Sequence, residues 1–264
     1  MRCLYVDLDG TLLGAGGAVT RDGEGGFTLL GIRALEACQR AGGLGCAMSG
    51  RPRAVLHDDV RLLGIDDYVF EAGGGFALDD ELHWLAEPDT HERIAASGAP
   101  DLLLERYAGR LEPHTPYSEG REVSHILRGR IDVDDARALL REHGHRDLRL
   151  IDNGEAHHRS AGLAGLEGVR LYHLLPEGIS KPTGVAAHMR ARGLEPAECV
   201  AVGDSGEDLT VADVVGTLWL VANAFEHDPA LRPALARHPN ARVAEASHGA
   251  GVYEAVVTTL AQAR

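Results

Sequence analysis

Short apolar runs that stop at an acidic or hydroxylated residue recur at both ends of the chain, each followed by a helix-like stretch. "CLYVD", "LGCAMS" and "YVFEAGG" read as buried strands of the first 75 residues. Between them lie "FTLLGIRALEACQRAGG", with Leu30, Ala34, Leu35 and Cys38 on one helical face, and "RPRAVLHDDVRLLG", with Pro52 near its start and Gly64 at its end. The C-terminal part repeats the pattern. "KPTGVAAHMRARG" and "SGEDLTVADVVG" read as helices, "ECVAVGD" and "TLWLVAN" as strands. "DPALRPALARH" and "GAGVYEAVVTTLAQAR" read as late helices flanking a short strand, "ARVAEA". Strands separated by helices demand right-handed crossovers, hence a parallel α/β sheet. Residues 82–176 differ, mixing helical "PDLLLERYAG" and "DVDDARALLREHG" with extended "EVSHILRGR", "DLRLIDNG" and "GVRLYHLLP". The expected organisation is therefore an α/β core from 1–81 and 177–264, with an inserted α+β domain at 82–176. The Gly-rich stretch 14–26 lacks the GK[ST] of a P-loop and reads as a flexible loop.

An open parallel sheet binds its ligands at the carboxyl ends of its strands. Here those ends carry Asp7 and Asp9, then Thr11; Ser49, Gly50 and Arg51; and Asp204, with Asp208 one helical turn on. Lys181 opens a helix beside them and is the only lysine among 26 basic residues. An ammonium is a compact point charge where a guanidinium is a planar fork. Asp7, Asp9 and Asp204 brought together would repel unless a cation sat among them, and oxygen ligands suit Mg²⁺. Such a cation would attract a phosphate, with Ser49 and Lys181 on its other oxygens, which makes the set suitable for phosphoryl transfer.

In this order "DLDGT", "SGR", "K" and "GDSGED" resemble the haloacid dehalogenase-like hydrolases. The long insertion after Ser49 resembles the large α/β caps of the Cof-like and sucrose- or mannosylglycerate-phosphatase-like branch. The resemblance implies a Rossmann-like core with an α+β cap. It implies Asp7 as nucleophile forming an aspartyl-phosphate, and Asp9 as the acid that protonates the leaving oxygen and then activates water. For that, Asp9 needs a raised pKa or a helpful neighbour. Mg²⁺ would be held by Asp7, the Asp9 carbonyl and Asp204, with Asp208 supporting the metal or Lys181. Thr11, Ser49, Gly50 and Lys181 would hold the phosphoryl group, with a minor role for Asn223. Three places depart from the family pattern: Glu207 stands where Asn is common, "EAGGG" (71–75) replaces a turn that often carries Asn, and "KPTGV" stands where "KGxAL" is common, a harmless change.

Several of these residues have ordinary structural readings. Ser49 suits a helix N-cap, Asp208 a solvated helix face and Asn223 a turn. In the inserted domain Arg121, His125, Arg128, Asn153 and Arg159 are the polar residues a cap would offer to a substrate. The fourteen histidines form no HExxH or Cys/His array and read as surface residues. Forty acidic against 26 basic residues give a net charge of −14, which disfavours nucleic acid and anionic membranes as partners. Cys3, Cys38, Cys46 and Cys199 include no CxxC pair and read as buried thiols, consistent with a cytoplasmic protein. The expected activity is Mg²⁺-dependent hydrolysis of a small phosphorylated metabolite, a sugar phosphate foremost. The rivals are a phosphomutase on the same scaffold and a phospho-binding regulatory protein. No feature of the sequence sets an oligomeric state.

Overall fold

The computed structural model describes residues 1–156 and 160–262. The chain runs from β1 (Cys3–Val6) through α1 (Leu30–Arg40) to β2 (Leu44–Met48), and through α2 (Arg53–Leu63) to β3 (Asp67–Phe70). A hairpin of β4 (Gly75–Leu78) and β5 (Glu81–Trp84) follows. The inserted region holds α3 (Thr90–Ala96), α4 (Ala99–Arg106), β6 (Leu111–Pro113), β7 (His125–Gly129), α5 (Val133–Glu142), β8 (Leu148–Glu155) and β9 (Arg170–Pro176). The chain then adds α6 (Lys181–Arg192), β10 (Cys199–Gly203), α7 (Gly206–Thr210), β11 (Thr217–Leu220), β12 (Ala241–Val243) and a long helix, His248–Gln262.

Eight strands form one sheet in the order β12-β11-β10-β1-β2-β3-β4-β5. β12 through β3 are parallel, and the hairpin adds two antiparallel strands at one edge. The core strands are buried on both faces, which is why they read as unbroken apolar runs. α1 buries Gly31, Ala34, Leu35 and Cys38, the face its periodicity gives. α2 stops at Gly64, whose left-handed backbone (φ 67°) ends the helix. The four cysteines are buried free thiols.

The smaller sheet is antiparallel, in the order β6-β7-β9-β8. Along β9 the side chains alternate. Tyr172 and Leu174 pack with Leu127, Leu150, Leu103 and Leu140 under the helices. Leu175, with Ile151 of β8, packs instead with Ala72, Val123 and Ile179. One face of the small sheet is thus clad by helices and the other leans on the turn after β3.

Three expectations are revised. β5 belongs to the large sheet, so the division drawn at 81/82 falls inside a strand. "DPALRPALARH" is only one α turn (Leu231–Ala234) followed by a 3₁₀ turn, because Pro233 cannot continue a helical hydrogen-bond ladder. Residues 14–26 are hydrogen-bonded on themselves, Gly14 to Ala18, Ala15 to Asp22 and Asp22 to Gly26, in place of a loose loop. No helix among the described residues is long and apolar enough to cross a membrane.

Candidate active site

Parallel pairing brings the separate acidic tips together. In register, Val6 lies beside Val202 on one side and Ala47 on the other, so Asp7, Asp204 and Ser49 leave the sheet at one edge. The Asp7 backbone N–H donates to the Val202 carbonyl, extending the ladder one residue past the strand. Gly10 follows with a left-handed backbone (φ 81°), and a Cβ there would lie 2.3 Å from Asp204 Oδ2. Only glycine meets both demands, the positive φ and the close approach of a carboxylate.

Lys181 is buried among these groups. Its Nζ donates to Asp7 Oδ1 at 2.9 Å and to Asp208 Oδ1 at 2.7 Å. The Thr11 hydroxyl lies 3.2 Å from Asp7 Oδ2 and 3.0 Å from Asp204 Oδ1. Asp208 is fully engaged: its Oδ2 accepts from Ser205 Oγ at 2.6 Å and from the backbone N–H groups of Ser205 and Asp204. Ser180 caps α6 with its hydroxyl, and Glu207 Oε1 accepts the Lys181 backbone N–H at 3.0 Å, so the lysine is positioned at both ends. Burial drives the Asp7 carboxyl up to about 7, with repulsion from Asp208 adding and Lys181 opposing. Burial, then Asp7 and Asp208, push Asp204 well above the usual carboxylate range. Burial would lower Lys181, but Asp208 and Asp7 outweigh it and hold the ammonium above its ordinary value. Asp7, Asp204 and Asp208 each offer one oxygen, all within 4.8 Å of one another. Three carboxylates against one ammonium leave an excess of negative charge that a divalent cation would balance.

No family model matches the chain. A phosphoglycolate phosphatase of Haloarcula marismortui is 40% identical over 196 residues, 74% of each chain. The chain belongs to the haloacid dehalogenase-like hydrolases. It is a phosphatase. Solved structures share its fold at low identity. A haloacid dehalogenase-like hydrolase from Bacteroides thetaiotaomicron has a TM-score of 0.63 at 15% identity, covering 98% of this chain and 99% of its own. The sucrose-phosphatase of Synechocystis, solved with sucrose and phosphate, has a TM-score of 0.63 at 20% identity, covering 98% of both.

The other residues singled out in this phosphatase are distributed as follows. Asp9 is exposed, and Arg51 forks onto its two oxygens at 2.8 and 2.5 Å while also holding Asp59. The neighbour of Asp9 is therefore the Arg51 guanidinium. Ser49 is buried with Oγ accepting the Arg51 N–H at 3.2 Å, a local turn contact. Asn223 differs from a phosphate ligand: its Nδ2 donates to the Gly10 carbonyl and its Oδ1 accepts the His248 N–H, so it braces the Asp7–Thr11 loop against the last helix. Of the cap residues, Arg121 reaches the core, donating from Nη1 to the Gly50 carbonyl at 3.0 Å. Asn153 also faces Gly50, its Nδ2 3.1 Å from where a Cβ would sit. Arg128 is spent on Glu112 at 2.6 Å and His125 stacks on His91, so the contacts of both are within the insertion. Arg159 lies outside the described residues.

Sequence reasoning missed two buried polar residues at this junction. Glu71 is fully buried and accepts from the backbone N–H groups of Glu122, Val123 and Ser124 and from Ser124 Oγ at 2.6–3.1 Å, clasping the insertion to the core. His173, read with the other histidines as a surface residue, is 1% exposed, and His114 and His188 are buried too. The signal for His173 was present: in "RLYHLLP" strand alternation sets it on the face opposite Tyr172 and Leu174.

Proposed function

We propose that the chain hydrolyses phosphoglycolate with Mg²⁺, through an aspartyl-phosphate on Asp7. The observation that carries the reading is the buried Lys181 ammonium between Asp7 and Asp208, with Asp204 alongside. Lys181 holds Asp7 Oδ1, and Oδ2, on which among the described residues only the Thr11 hydroxyl bears, is the oxygen that attacks phosphorus. The P–O bond to the glycolate oxygen breaks as the bond to Asp7 forms, and the leaving oxygen takes a proton from Asp9. Asp9 must release Arg51 to do so, and it then removes the proton from the water that frees phosphate. Lys181 stays paired throughout and compensates charge as it builds on the phosphoryl oxygens.

The donor set fits a small hard cation, and Asp7, Asp204 and the Asp9 main-chain carbonyl would hold Mg²⁺. Bound there, the ion would supply charge compensation to the phosphoryl group. Asp208, whose two oxygens already serve Lys181 and the Ser205 turn, is read as a positioning residue for the lysine. Thr11, Ser49 and the Gly50 main chain would line the phosphoryl group. The name of the relative at 40% identity favours phosphoglycolate over the sugar phosphate expected from the cap alone.

The test is a panel of phosphoglycolate and common sugar phosphates assayed with Mg²⁺ and with EDTA. The expected result is the highest kcat/KM on phosphoglycolate, abolished by EDTA and restored by Mg²⁺. A sugar phosphate turned over with higher kcat/KM would overturn the substrate, and activity indifferent to EDTA would overturn the metal.

A further inference from the structure

The face that α6 turns to the large sheet is partly polar. Its buried residues are Lys181, Gly184, Val185, His188 and Met189, so Val185 and Met189 are the only apolar side chains that seat it. The helix sits close, since a Cβ on Gly184 would lie 2.6 Å from Val69 Cγ1. Lys181 and His188 are two turns apart and therefore share that face. Opposite them, Tyr5 of β1 and Asp7 just beyond it are two residues apart and share one face of the strand. The two pairs meet. Lys181 Nζ holds Asp7 Oδ1, and His188 Nδ1 lies 2.7 Å from the Tyr5 hydroxyl. Among the described residues these are the two hydrogen bonds that tie α6 to the segment carrying Asp7.

His188 is anchored on its far side as well. Its Nε2 lies 2.9 Å from Asp67 Oδ2 at the start of β3, and Arg192, at the end of α6, donates to both Asp67 oxygens at 2.8 Å. Although burial opposes it, hydrogen bonds from His188 and Arg192 keep Asp67 ionised. Asp67 has no proton to give, so His188 Nε2 donates, and in the neutral ring Nδ1 accepts the Tyr5 O–H. Tyr5 and Phe76 meet the imidazole edge-on, which clamps the ring, and Tyr5, His188 and Asp67 are all buried. A buried polar chain with every partner in place adds little net stability over apolar packing, but it admits one register. We propose that His188 is a positioning residue for the reaction: bridging Tyr5 and Asp67, it fixes α6 along its axis against β1 and β3 and so sets the Lys181 ammonium on Asp7. This rests on the roles given above to Asp7 and Lys181, whichever phosphate ester is the substrate.

The test is a double-mutant cycle on kcat, using phosphoglycolate or whichever ester of the panel above is turned over fastest, with each variant assayed well below its thermal midpoint. Tyr5→Phe removes one hydroxyl and His188→Phe the whole bridge. They should lower kcat by about fivefold and about tenfold or more, with KM within about twofold, because a small misplacement of a charge-compensating group is felt in the transition state. His188→Gln, whose amide can donate to Asp67 and accept from Tyr5, should recover part of the loss. In a Lys181→Met background the same substitutions should change kcat by less than about twofold, because the group they place is gone. A purely structural loss would instead carry over in full. A His188→Phe kcat within about twofold of the wild type, or a fall by the same factor with and without Lys181, overturns the positioning role and leaves the reading of Asp7 and Lys181 standing. A Lys181→Met enzyme as active as the wild type overturns both. If His188→Phe fails to fold, Tyr5→Phe decides by the same cycle.

Discussion

Replacing Lys181 by methionine removes one charge and keeps nearly the same volume. The ammonium it deletes is 1% exposed and lies 2.9 and 2.7 Å from two buried carboxylates. Breaking a buried pair by removing one partner costs about 3–5 kcal/mol, because the other partner stays behind without compensation. At about 2.1 cal/mol/K per residue, a chain of 264 residues loses roughly 1.8 °C of midpoint per kcal/mol, so the expected fall is about 5–9 °C. Turnover should fall by about 10²–10³, the usual loss when one preorganised donor to a developing charge is removed. Lys181→Arg retains the charge but puts a planar fork where both contacts converge on one nitrogen. It should lose less stability than the methionine variant and still lose at least about tenfold in kcat. Differential scanning calorimetry and steady-state kinetics on phosphoglycolate read both effects. A methionine variant with an unchanged midpoint and a turnover within about twofold of the wild type would refute the electrostatic role given to this lysine.

Three further outcomes are expected. Asp208→Asn should lower both the thermal midpoint and kcat while the Mg²⁺ concentration for half-maximal activity stays constant; a raised Mg²⁺ requirement would make Asp208 a ligand instead. Glu71→Ala strands three backbone N–H groups of residues 122–124 and should cost about 3 kcal/mol or more in urea unfolding, so an unchanged midpoint would show that the clasp is idle. Burial opposes ionisation of Asp67, but hydrogen bonds from His188 and Arg192 prevail and hold its carboxyl below the usual range. Its stabilising contribution is therefore complete above the unfolded value near pH 4 and is lost as the pH falls below it. Asp67→Asn should flatten the acid limb of stability between about pH 4 and 2, and an acid limb identical to the wild type's would exclude Asp67 as its source.

The large sheet was legible because its strands are short, apolar and bounded by charge or glycine, a pattern set by burial on both faces. Asp7, Lys181, Asp204 and Asp208 were legible for a related reason, since strand ends are where a parallel sheet puts its polar residues. The β4–β5 hairpin went unread although its turn is written in the chain: Asp79 and Asp80 take φ 51° and 66°, the backbone of a two-residue hairpin turn. Asp9 was expected to need a raised pKa or a helpful neighbour, but its partner Arg51 lies 42 positions away and no local pattern links them. Glu71 left no trace because its partners are main-chain N–H groups, which every sequence possesses. Asn223 was read one contact short, since the carbonyl and N–H it bridges lie at opposite ends of the chain.

The place of β1 in the sheet also governs how such a chain comes off the ribosome. Its inner edge is covered early, when β2 emerges, but its other edge stays bare until β10 has been made, roughly 150 residues later. At about 5–20 residues per second that is an interval of roughly eight to thirty seconds in which a greasy strand edge is open to foreign pairing. The nascent molecule therefore passes through a sticky half-sheet at every round of translation, and the polypeptide between these two strands must be sheltered or folded on its own before the sheet can close.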